Sequence, residues 1–372
     1  MASQTPPPPP AISVPAAVAP AGRLLARTTG LTRPVRIQVR RGASWVRIGE
    51  PIAAVGGSSA FRAQRTVGPM RLRAVGADGA ATASAYVRVR PLTLMAVGDI
   101  NLGDGPGGMI DRFGAGYPWA SVGATLRGAD IAFGNLECPV SLRGTAQVKQ
   151  YTFRGRPSSV AAMRADAGFD VLNLANNHSG DYGDAALVDT LRTLRANDIV
   201  PVGAGANEAA AYRPAVVEAL GLKVAFVGFS SILPFEFRAV GLSPGTAWAT
   251  PERVTAAIAR ARRSADVVIA TFHWGIERDT VESPAQRALA DVALRAGATA
   301  VIGAHPHVLQ PVRRPAGRLV AYSLGNFVFG ANSPGTSSTG ILRVDLGAGE
   351  VVGSAFLPAR IEGSRPVLAG AR

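Results

Sequence analysis

Gly303-Ala304-His305-Pro306-His307 is a pair of histidines separated by a proline. The pair follows an apolar run, residues 298–302, which predicts a buried strand. A turn at the end of that strand directs both imidazoles toward one opening, and the proline stiffens the turn. Imidazole pairs of this kind are typical metal ligands, so the stretch predicts a metal site at the edge of a sheet.

Histidine is scarce in the rest of the chain, which has only four. The other two, His178 and His273, also follow apolar runs that read as strands. The placement of all four histidines at strand ends favours convergence on one site over an alternative in which unrelated histidines cap or pack.

Buried strands alternate with helical stretches from residue 91 onward, beginning with the apolar run 92–97. Further strands are predicted at 131–133, 171–174, 223–229, 267–272, 299–302 and 319–322, and helices at 159–167, 185–196, 252–261 and 285–296. This rhythm is typical of an α/β domain with both sheet faces covered. Alternating runs at 341–346 and 351–361 predict that the chain end completes a second sheet.

Polar side chains follow the predicted strands, at the ends where open α/β sheets bind ligands. They are Asp99, Asn101, Asn135, Glu137, Asn176, Asn177, His178, His273, His305, His307 and Asn326. Oxygen and nitrogen donors without thiolate suit Mn²⁺, Zn²⁺ or Fe²⁺, and this many donors could serve two ions. Two metal ions clamp a phosphoryl group and activate water. Asp181, Asp184 and Glu277 also lie near these motifs in sequence, but positions in solvated loops would explain them as well.

The N-terminal quarter follows a different pattern. Residues 1–22, rich in proline and alanine, predict a stiff extended linker. Residues 23–90 carry short alternating runs with turns at glycines, which predict a small immunoglobulin-like β-sandwich. The alternative is an edge extension of the following domain, which comprises residues 91–372.

Composition limits the function classes. The chain has 372 residues and a net charge of +14, and nearly all its basic residues are arginines, with Lys149 and Lys223 the two exceptions. The charge favours anionic partners. We discount nucleic acid, because the arginines are dispersed in sequence and lack interleaved aromatic residues for base stacking. The single Cys138 excludes an internal disulfide, and no run of 18 apolar residues predicts a transmembrane segment.

Six motifs in order resemble the CapA family of poly-γ-glutamate capsule biosynthesis proteins, which are similar to calcineurin-like metallophosphoesterases. They are Gly98-Asp99 with Asn101, Gly134-Asn135-Leu136-Glu137, Asn176-Asn177-His178, His273-Trp274-Gly275, the His305-Pro306-His307 stretch, and Ser323-Leu324-Gly325-Asn326-Phe327. The resemblance covers residues 92–357. It implies a four-layer α/β/β/α sandwich, an extracytoplasmic location, and a role in building or anchoring an anionic surface polymer.

The resemblance also implies roles for individual residues. Asp99 and His307 would bind one metal ion, and Asn177, His273 and His305 a second. His178 would be the general acid, or a donor that stabilises charge on phosphate. Asn101, Asn135, Asn176, Trp274 and Asn326 would contact substrate or support the ligands.

The chain departs from the phosphoesterase pattern at two positions. Asn101 stands where that pattern has histidine, and Asn135 where it has the aspartate that bridges both metals. An amide lacks the bridging negative charge, which Glu137 could supply instead. Two possibilities follow: a rearranged dinuclear site that uses Glu137, or a site with one metal or weak metal affinity that binds a polymer without cleaving it.

Two functions are therefore expected. The first is a metal-dependent hydrolase or transferase that acts on an anionic cell-envelope polymer. The second is a non-catalytic polymer-binding or assembly subunit. A membrane-bound polymer synthase is a partner implied by the family resemblance alone. No signal peptide is visible at residues 1–10, but the linker is consistent with an export segment upstream.

Overall fold

A computed structural model describes residues 9–370. The chain divides into two compact units. The first runs to Leu92 and includes Glu218–Leu222, and the second takes Thr93–Val217 and the chain from Lys223 onward.

The first unit is built from two small sheets, ordered β1-β3-β6 and β2-β8-β7-β4-β5. Its strands are β1 Ala11–Ser13, β2 Ala17–Val18, β3 Arg23–Thr29, β4 Val35–Arg41, β5 Ser44–Ile52, β6 Ser58–Arg62, β7 Gly68–Val75 and β8 Ala85–Val89. Alternate residues of these strands are buried around Leu24, Ile37 and Leu72, because each strand has one apolar face. The β-rich character of this region agrees with the sequence, and its immunoglobulin-like class stays a prediction.

The predicted linker differs from the structure over its described part. Residues 1–8 lie outside the described residues. Beyond them, β1 pairs with β3 and β2 pairs with β8, so both segments belong to sheets. Small residues such as Ala11 and Ala17 accept an extended conformation readily, and pairing with neighbouring strands satisfies their backbone hydrogen bonds.

The second unit is a mixed α/β fold, as predicted. Its strands are β9 Leu92–Ile100, β10 Ile131–Leu136, β11 Val171–Asn173, β12 Val200–Val202, β13 Ala204–Gly205, β14 Ala215–Ala219, β15 Leu222–Ser230, β16 Gly245–Thr246, β17 Val267–His273, β18 Ala300–Ala304, β19 Val312–Arg313, β20 Leu319–Ala321, β21 Asn326–Val328, β22 Ser338–Gly347, β23 Glu350–Glu362 and β24 Arg365–Leu368. Its helices are α1 Asp104–Phe113, α2 Gly123–Arg127, α3 Ser159–Ala165, α4 Gly183–Ala196, α5 Glu208–Ala211, α6 Pro251–Arg262, α7 Pro284–Ala296 and α8 Pro334–Ser337.

Two large sheets form the centre of this unit. The first runs β12-β11-β10-β9-β22-β23-β24, with β21 also paired to β9, and the second runs β14-β15-β17-β18-β20-β19. The pairs β9–β10, β10–β11 and β11–β12 are parallel, and so are β15–β17, β17–β18 and β18–β20. The pairs β22–β23 and β23–β24 are antiparallel. The end of the chain was predicted to complete a second sheet. Its strands β22, β23 and β24 instead extend the first sheet, next to β9.

Helices cover the outer face of each sheet. Leu191 of α4 packs in one core cluster with Leu172, and Ile258 of α6 belongs to the core cluster of the second sheet. Between the sheets, the rings of Phe133 and Phe226 stack with centroids 5.4 Å apart. The layers therefore follow the order helix, sheet, sheet, helix.

Helix boundaries follow local chemistry. Helix α7 begins at a capping box, in which Ser283 and Gln286 satisfy each other's backbone N–H groups, and it ends at Gly297 in the left-handed conformation. Helix α1 is absent from the sequence predictions because three glycines and a proline lower its propensity. Across residues 9–370, the structure contains no helix with the length and apolar character needed to cross a bilayer.

Candidate metal centre

Parallel pairing brings the polar strand ends to one place. Asp99 on β9 lies opposite Asn135 on β10 and Asn326 on β21, and His273 on β17 lies opposite Ala304 on β18. The strand ends also approach closely, since a Cβ atom at Gly98 would lie 1.8 Å from the carbonyl oxygen of Gly325. Glycine is required at this contact.

Asp99 is fully buried, and its side chain contacts residues at the ends of two other strands. Its Oδ1 accepts a hydrogen bond of 2.8 Å from Asn135 Nδ2, and its Oδ2 accepts one of 3.2 Å from the backbone N–H of His305. His307 Nδ1 lies 3.3 Å from the same Oδ2. Asp99 therefore fixes the His305-Pro306-His307 turn against the first sheet.

Glu137 lies in an unusual environment for a carboxylate. Its side chain is fully buried, and neither carboxylate oxygen has a hydrogen-bond partner. Instead, Oε1 lies 3.5 Å from His273 Nε2, 3.7 Å from His307 Nε2 and 4.0 Å from His178 Nε2. Burial, and then the nearby charge of Asp99, raise the pKa of Glu137 well above its ordinary value. A buried carboxylate without partners is costly unless a cation compensates it.

Asn326 orients His307. Its Nδ2 donates to the carbonyl oxygen of Thr336, which leaves Oδ1 to accept from His307 Nδ1 at 2.8 Å. His307 therefore carries its proton on Nδ1, and its Nε2 lone pair faces Glu137. His305 and His307 both have positive φ, at 97° and 59°, a strained conformation for residues with a Cβ.

Asn135 directs its amide nitrogen, and not its oxygen, into the site. Its Oδ1 accepts from Asn173 Nδ2 at 2.8 Å and from Asn176 Nδ2 at 3.3 Å. Asn176 Nδ2 also donates to the carbonyl oxygen of Leu136, which fixes the orientation of that amide. The nitrogen of Asn135 therefore faces Asp99 and lies 3.3 Å from His273 Nδ1. Asn135 supplies no oxygen ligand in this arrangement.

His273 and His305 are held in the neutral form. His273 Nε2 contacts Asn177 Oδ1 at 2.8 Å, whereas His305 Nδ1 is buried without a partner. Burial, then the neighbouring histidines, lower the pKa of His273 well below its ordinary value. Burial, and then His307, lower the pKa of His305 to about 3. Neutral imidazoles are the form that binds metal.

His178 belongs to a separate network at the edge of the cluster. Its Nδ1 lies 2.7 Å from Asp181 Oδ2, and its ring stacks on Phe153 with centroids 4.1 Å apart. Lys149 Nζ donates to Asp181 Oδ1 and to the carbonyl oxygen of Asn177, both at 2.7 Å. Asp181 is fully buried, so of the two interpretations a position in a solvated loop is excluded for this residue. The Nδ1 contact leaves His178 Nε2 directed toward Glu137.

A cavity of about 290 Å³ opens next to the cluster. Its lining includes His178, His307, Asn101, Asn326 and Glu277. Glu277 is exposed, yet its carboxylate lies within 4.8 Å of ligand atoms of His305 and His307, so the cavity mouth holds a further candidate ligand.

Three of the residues predicted to contact substrate or support the ligands form side-chain hydrogen bonds to the backbone: Asn101, Asn176 and Trp274. Asn101 Oδ1 accepts from the backbone N–H of Gly103 at 2.8 Å while the residue lines the cavity. Asn176 Oδ1 accepts from the backbone N–H of His178 at 3.1 Å. Trp274 lies in the core of the second sheet, where its Nε1 donates to the carbonyl oxygen of Tyr322 at 2.8 Å, and it does not line the cavity.

The residues that the sequence interpretation missed are Lys149, Asp181, Asn173 and the ligand role of Glu277. Lys149 had one signal, because it is one of two lysines in an arginine-rich chain. Asn173 had none, since an asparagine inside a strand has no distinctive pattern. The six predicted metal ligands, Asp99, Glu137, Asn177, His273, His305 and His307, do come together, and their roles as ligands stay predictions.

Comparison with known proteins extends this description. A family model for the bacterial capsule synthesis protein PGA_cap matches residues 93–331. The capsule biosynthesis protein CapA of Bacillus anthracis is 34% identical over 263 residues, which cover 68% of this chain and 64% of that protein. The PGA biosynthesis protein CapA of Bacillus subtilis (strain 168) is 33% identical over 258 residues, 68% of each chain. Among solved structures, the calcineurin-like phosphoesterase YfkN from Bacillus subtilis aligns with a TM-score of 0.44 and 17% identity, over 76% of this chain and 94% of that one.

Proposed function

The chain belongs to the bacterial capsule synthesis protein PGA_cap family, and from this membership and the site geometry we propose that it is a metal-dependent protein of anionic surface-polymer synthesis or anchoring. We propose that it acts as a hydrolase or transferase on a phosphoester or amide bond. The names of the two Bacillus relatives support a role in the synthesis of such a polymer. The clustered side chains support the dependence on a metal ion.

The environment of Glu137 carries the proposal. A buried carboxylate with no hydrogen bond lies among the Nε2 atoms of His178, His273 and His307. Hydrogen bonds from side-chain N–H or hydroxyl groups would be the ordinary way to stabilise it, and among residues 9–370 no such group reaches either oxygen. A divalent cation would satisfy both the carboxylate and the imidazole lone pairs, so the residues fit a metal ion.

Two overlapping groups of residues would hold the ion or ions. Asp99, Glu137 and His307 form one group, and Glu137, His273 and His305 form another, each with ligand atoms within 4.8 Å of one another. Glu137 belongs to both groups, which is consistent with the bridging position that Asn135 does not fill. A bound Mn²⁺, Zn²⁺ or Fe²⁺ would polarise the scissile group and lower the pKa of water.

The side chains around the cluster would bind the substrate and move protons. The cavity would admit one unit of an anionic polymer, with Arg278 and Asn332 at its lining. His178 would present Nε2 to the reacting group while Asp181 holds the ring by Nδ1. The hydrogen bond from Lys149 Nζ holds that carboxylate in place.

A second candidate function is a non-catalytic polymer-binding or assembly subunit. The observation that favours it is Asn135, whose amide oxygen is occupied by Asn173 and Asn176 and therefore adds no charge to the site. We propose an extracytoplasmic location and a membrane-bound synthase partner for either function.

Elemental analysis tests the first candidate. The protein is purified without chelators or a metal-affinity resin, and the His305→Ala variant is prepared alongside Asp184→Asn, which changes an exposed residue outside the cluster. One or two equivalents of Mn, Zn or Fe in wild type and in Asp184→Asn, lost in His305→Ala, support the proposal. Less than a tenth of an equivalent in wild type, with no metal-stimulated hydrolysis of generic phosphoesters, would overturn the metal-dependent function.

A further inference from the structure

The five-stranded sheet of the N-terminal unit has an outward face dominated by arginine. We call it the basic face, and it comprises Arg36, Arg40, Trp45, Arg47, Arg71, Arg73, Tyr86 and Arg88. The opposite face of the same strands packs into the core through Ile37, Leu72 and Val87. Because strand side chains alternate, the pattern that buries one face presents the arginines on the other.

Strand register aligns these residues, although they are dispersed in sequence. Gln38 lies between Arg47 and Arg73 across three strands, and Arg73 Nε donates to Gln38 Oε1 at 2.8 Å. One row further along, Arg40 lies opposite Trp45, and Arg71 lies opposite Tyr86. The arginines are therefore interleaved with aromatic residues in three dimensions, contrary to the expectation from their order in the sequence.

The aromatic rings are engaged by the arginines themselves. The guanidinium carbon of Arg73 lies 4.4 Å from the Trp45 ring centroid, and those of Arg40 and Arg71 lie 5.6 and 5.7 Å away. Arg71 also lies 5.7 Å from the Tyr86 ring. Stacking of this kind holds a guanidinium in one orientation while its N–H donors point outward.

Acidic side chains do not neutralise the face. Strands β2, β4, β7 and β8 contain no aspartate or glutamate, and β5 contains only Glu50. Within residues 9–370, no ion pair of the structure involves any of the six arginines of the basic face. Five of the six are exposed, and Arg73 is half-buried.

We propose that the basic face binds an extended polycarboxylate chain. It would do so by arginine–carboxylate hydrogen bonds across the sheet, at a site separate from the metal centre. Neighbouring strands lie about 4.8 Å apart, so four strands present donors over about 15 to 20 Å, enough for several successive carboxylates of one chain. The identification of the polymer as poly-γ-glutamate rests on the proposed function.

Nucleic acid fits the face less well. Sequence-independent binding of single strands needs open aromatic faces on which bases stack. Here the Trp45 ring is already surrounded by three guanidinium groups, and the Tyr86 ring by one. Carboxylates need only the outward N–H donors, so a polycarboxylate matches what the face leaves accessible.

Binding of fluorescently labelled poly-γ-glutamate to the full chain tests the proposal, with a labelled oligo(dT) as the competing probe. The test variant is Arg40→Gln/Arg71→Gln/Arg73→Gln. The control, Arg192→Gln/Arg260→Gln/Arg263→Gln, removes the same charge from exposed helix residues of the other unit. We expect the test variant to lose affinity on the order of tenfold, with a weaker dependence on salt, and the control to stay within about twofold.

A second variant protects the test against misfolding. Arg36→Gln/Arg47→Gln/Arg88→Gln leaves all three guanidinium contacts of Trp45 in place and should lose affinity to a similar extent. Equal losses in the test and control variants, or no binding by wild type, would overturn the proposal. Tighter binding of oligo(dT) than of poly-γ-glutamate at the same salt, abolished in the test variant, would make the face a nucleic-acid site.

The metal centre provides an independent check. The test variant should keep the metal content of wild type, and His305→Ala should keep the polymer affinity of the basic face. If the protein binds no metal, polymer binding through the arginines should still be observed. If the arginines do not bind the polymer, the metal content should still be that of wild type.

Discussion

The metal centre and the basic face use charge in opposite ways. In the metal centre, two carboxylates and three histidines lie buried at strand ends beside the partly buried His307, and Glu137 has no hydrogen-bond partner among the described residues. In the basic face, six arginines lie on the outer side of a sheet, most of them in contact with water. Burial makes one unpaired charge decisive, whereas water screens each exposed charge to a small contribution.

The difference predicts how each region responds to mutation. Losing one member of the buried cluster should remove the function of the whole cluster, because its members would hold the same ion or ions. Losing one exposed arginine should remove a small, separate increment. The following predictions test this contrast.

Glu137→Gln should give the largest effect. The amide cannot supply the negative charge that the histidines surround, so metal affinity should fall by about a hundredfold or more. The pKa of Glu137 is raised by folding, so its charge destabilises the metal-free protein once the pH exceeds the ordinary carboxyl range. The metal-free variant should therefore melt a few degrees higher than metal-free wild type near pH 7. Elemental analysis and thermal unfolding measure both effects.

Glu282→Gln is the matched control for this prediction. Glu282 is also buried, but Arg313 donates two hydrogen bonds to its Oε1. Burial by itself would raise the pKa of Glu282, but the hydrogen bonds from Arg313 and from the backbone, together with the charges of Arg313 and Arg287, lower it overall. The control should keep its metal and melt lower. Retention of metal by Glu137→Gln would contradict our assignment of Glu137 as a ligand.

The sequence was sufficient for the features that depend on position along a strand. Asp99 and His305 follow apolar runs, and parallel pairing then brings strand ends together whatever the loops do. The sequence was not sufficient for features that depend on loop paths. Asp181 reads as a loop carboxylate, but the chain folds it against Lys149, which is 32 residues away.

Residues on different strands present the same limit. The arginines of the basic face become neighbours only through the register of β4, β5, β7 and β8, which alternation alone does not specify. The direction of the Asn135 amide likewise depends on Asn173 and Asn176, because their side chains determine which of its atoms faces Asp99. The family resemblance placed Asn135 where the phosphoesterase pattern has a bridging aspartate. It could not show whether the oxygen or the nitrogen of the Asn135 amide faces Asp99.

Asp181→Asn should give the second largest effect. The amide would weaken the hydrogen bond that holds His178 by Nδ1, so turnover of any metal-dependent substrate should fall by about ten- to a hundredfold while metal content is unchanged. Nitrogen NMR shifts of His178 should report a change in tautomer.

Two comparisons complete that experiment. Asp184→Asn alters an exposed carboxylate on the following helix and should leave turnover within about twofold. His178→Ala should lose turnover and keep its metal if the chain is an enzyme. Full turnover in Asp181→Asn would show that His178 does not need this partner.

Metal affinity should depend on pH through Glu137. A raised pKa means that Glu137 must lose a proton before it binds a cation, so affinity should rise with pH and fall up to tenfold per pH unit below that pKa. His273 and His305 have lowered pKa values and stay neutral over the same range. Competition with a chelator from about pH 8 to about pH 5 measures the profile. Asp184→Asn, which changes an exposed carboxylate outside the cluster, should keep the same midpoint, and a flat profile would contradict the role of Glu137.

The smallest effects should come from single arginines of the basic face. Arg36→Gln, Arg47→Gln and Arg88→Gln should each reduce poly-γ-glutamate affinity about two- to threefold at low salt, because each exposed charge acts through water. The losses should multiply when these variants are combined, because none of the three contacts the Trp45 ring and independent sites are additive in free energy. In the metal centre, Glu137→Gln and His307→Ala should not multiply, because either one already removes the metal. Strong non-additivity among the arginines would show that the basic face behaves like a built pocket, and the contrast between the two regions would then fail.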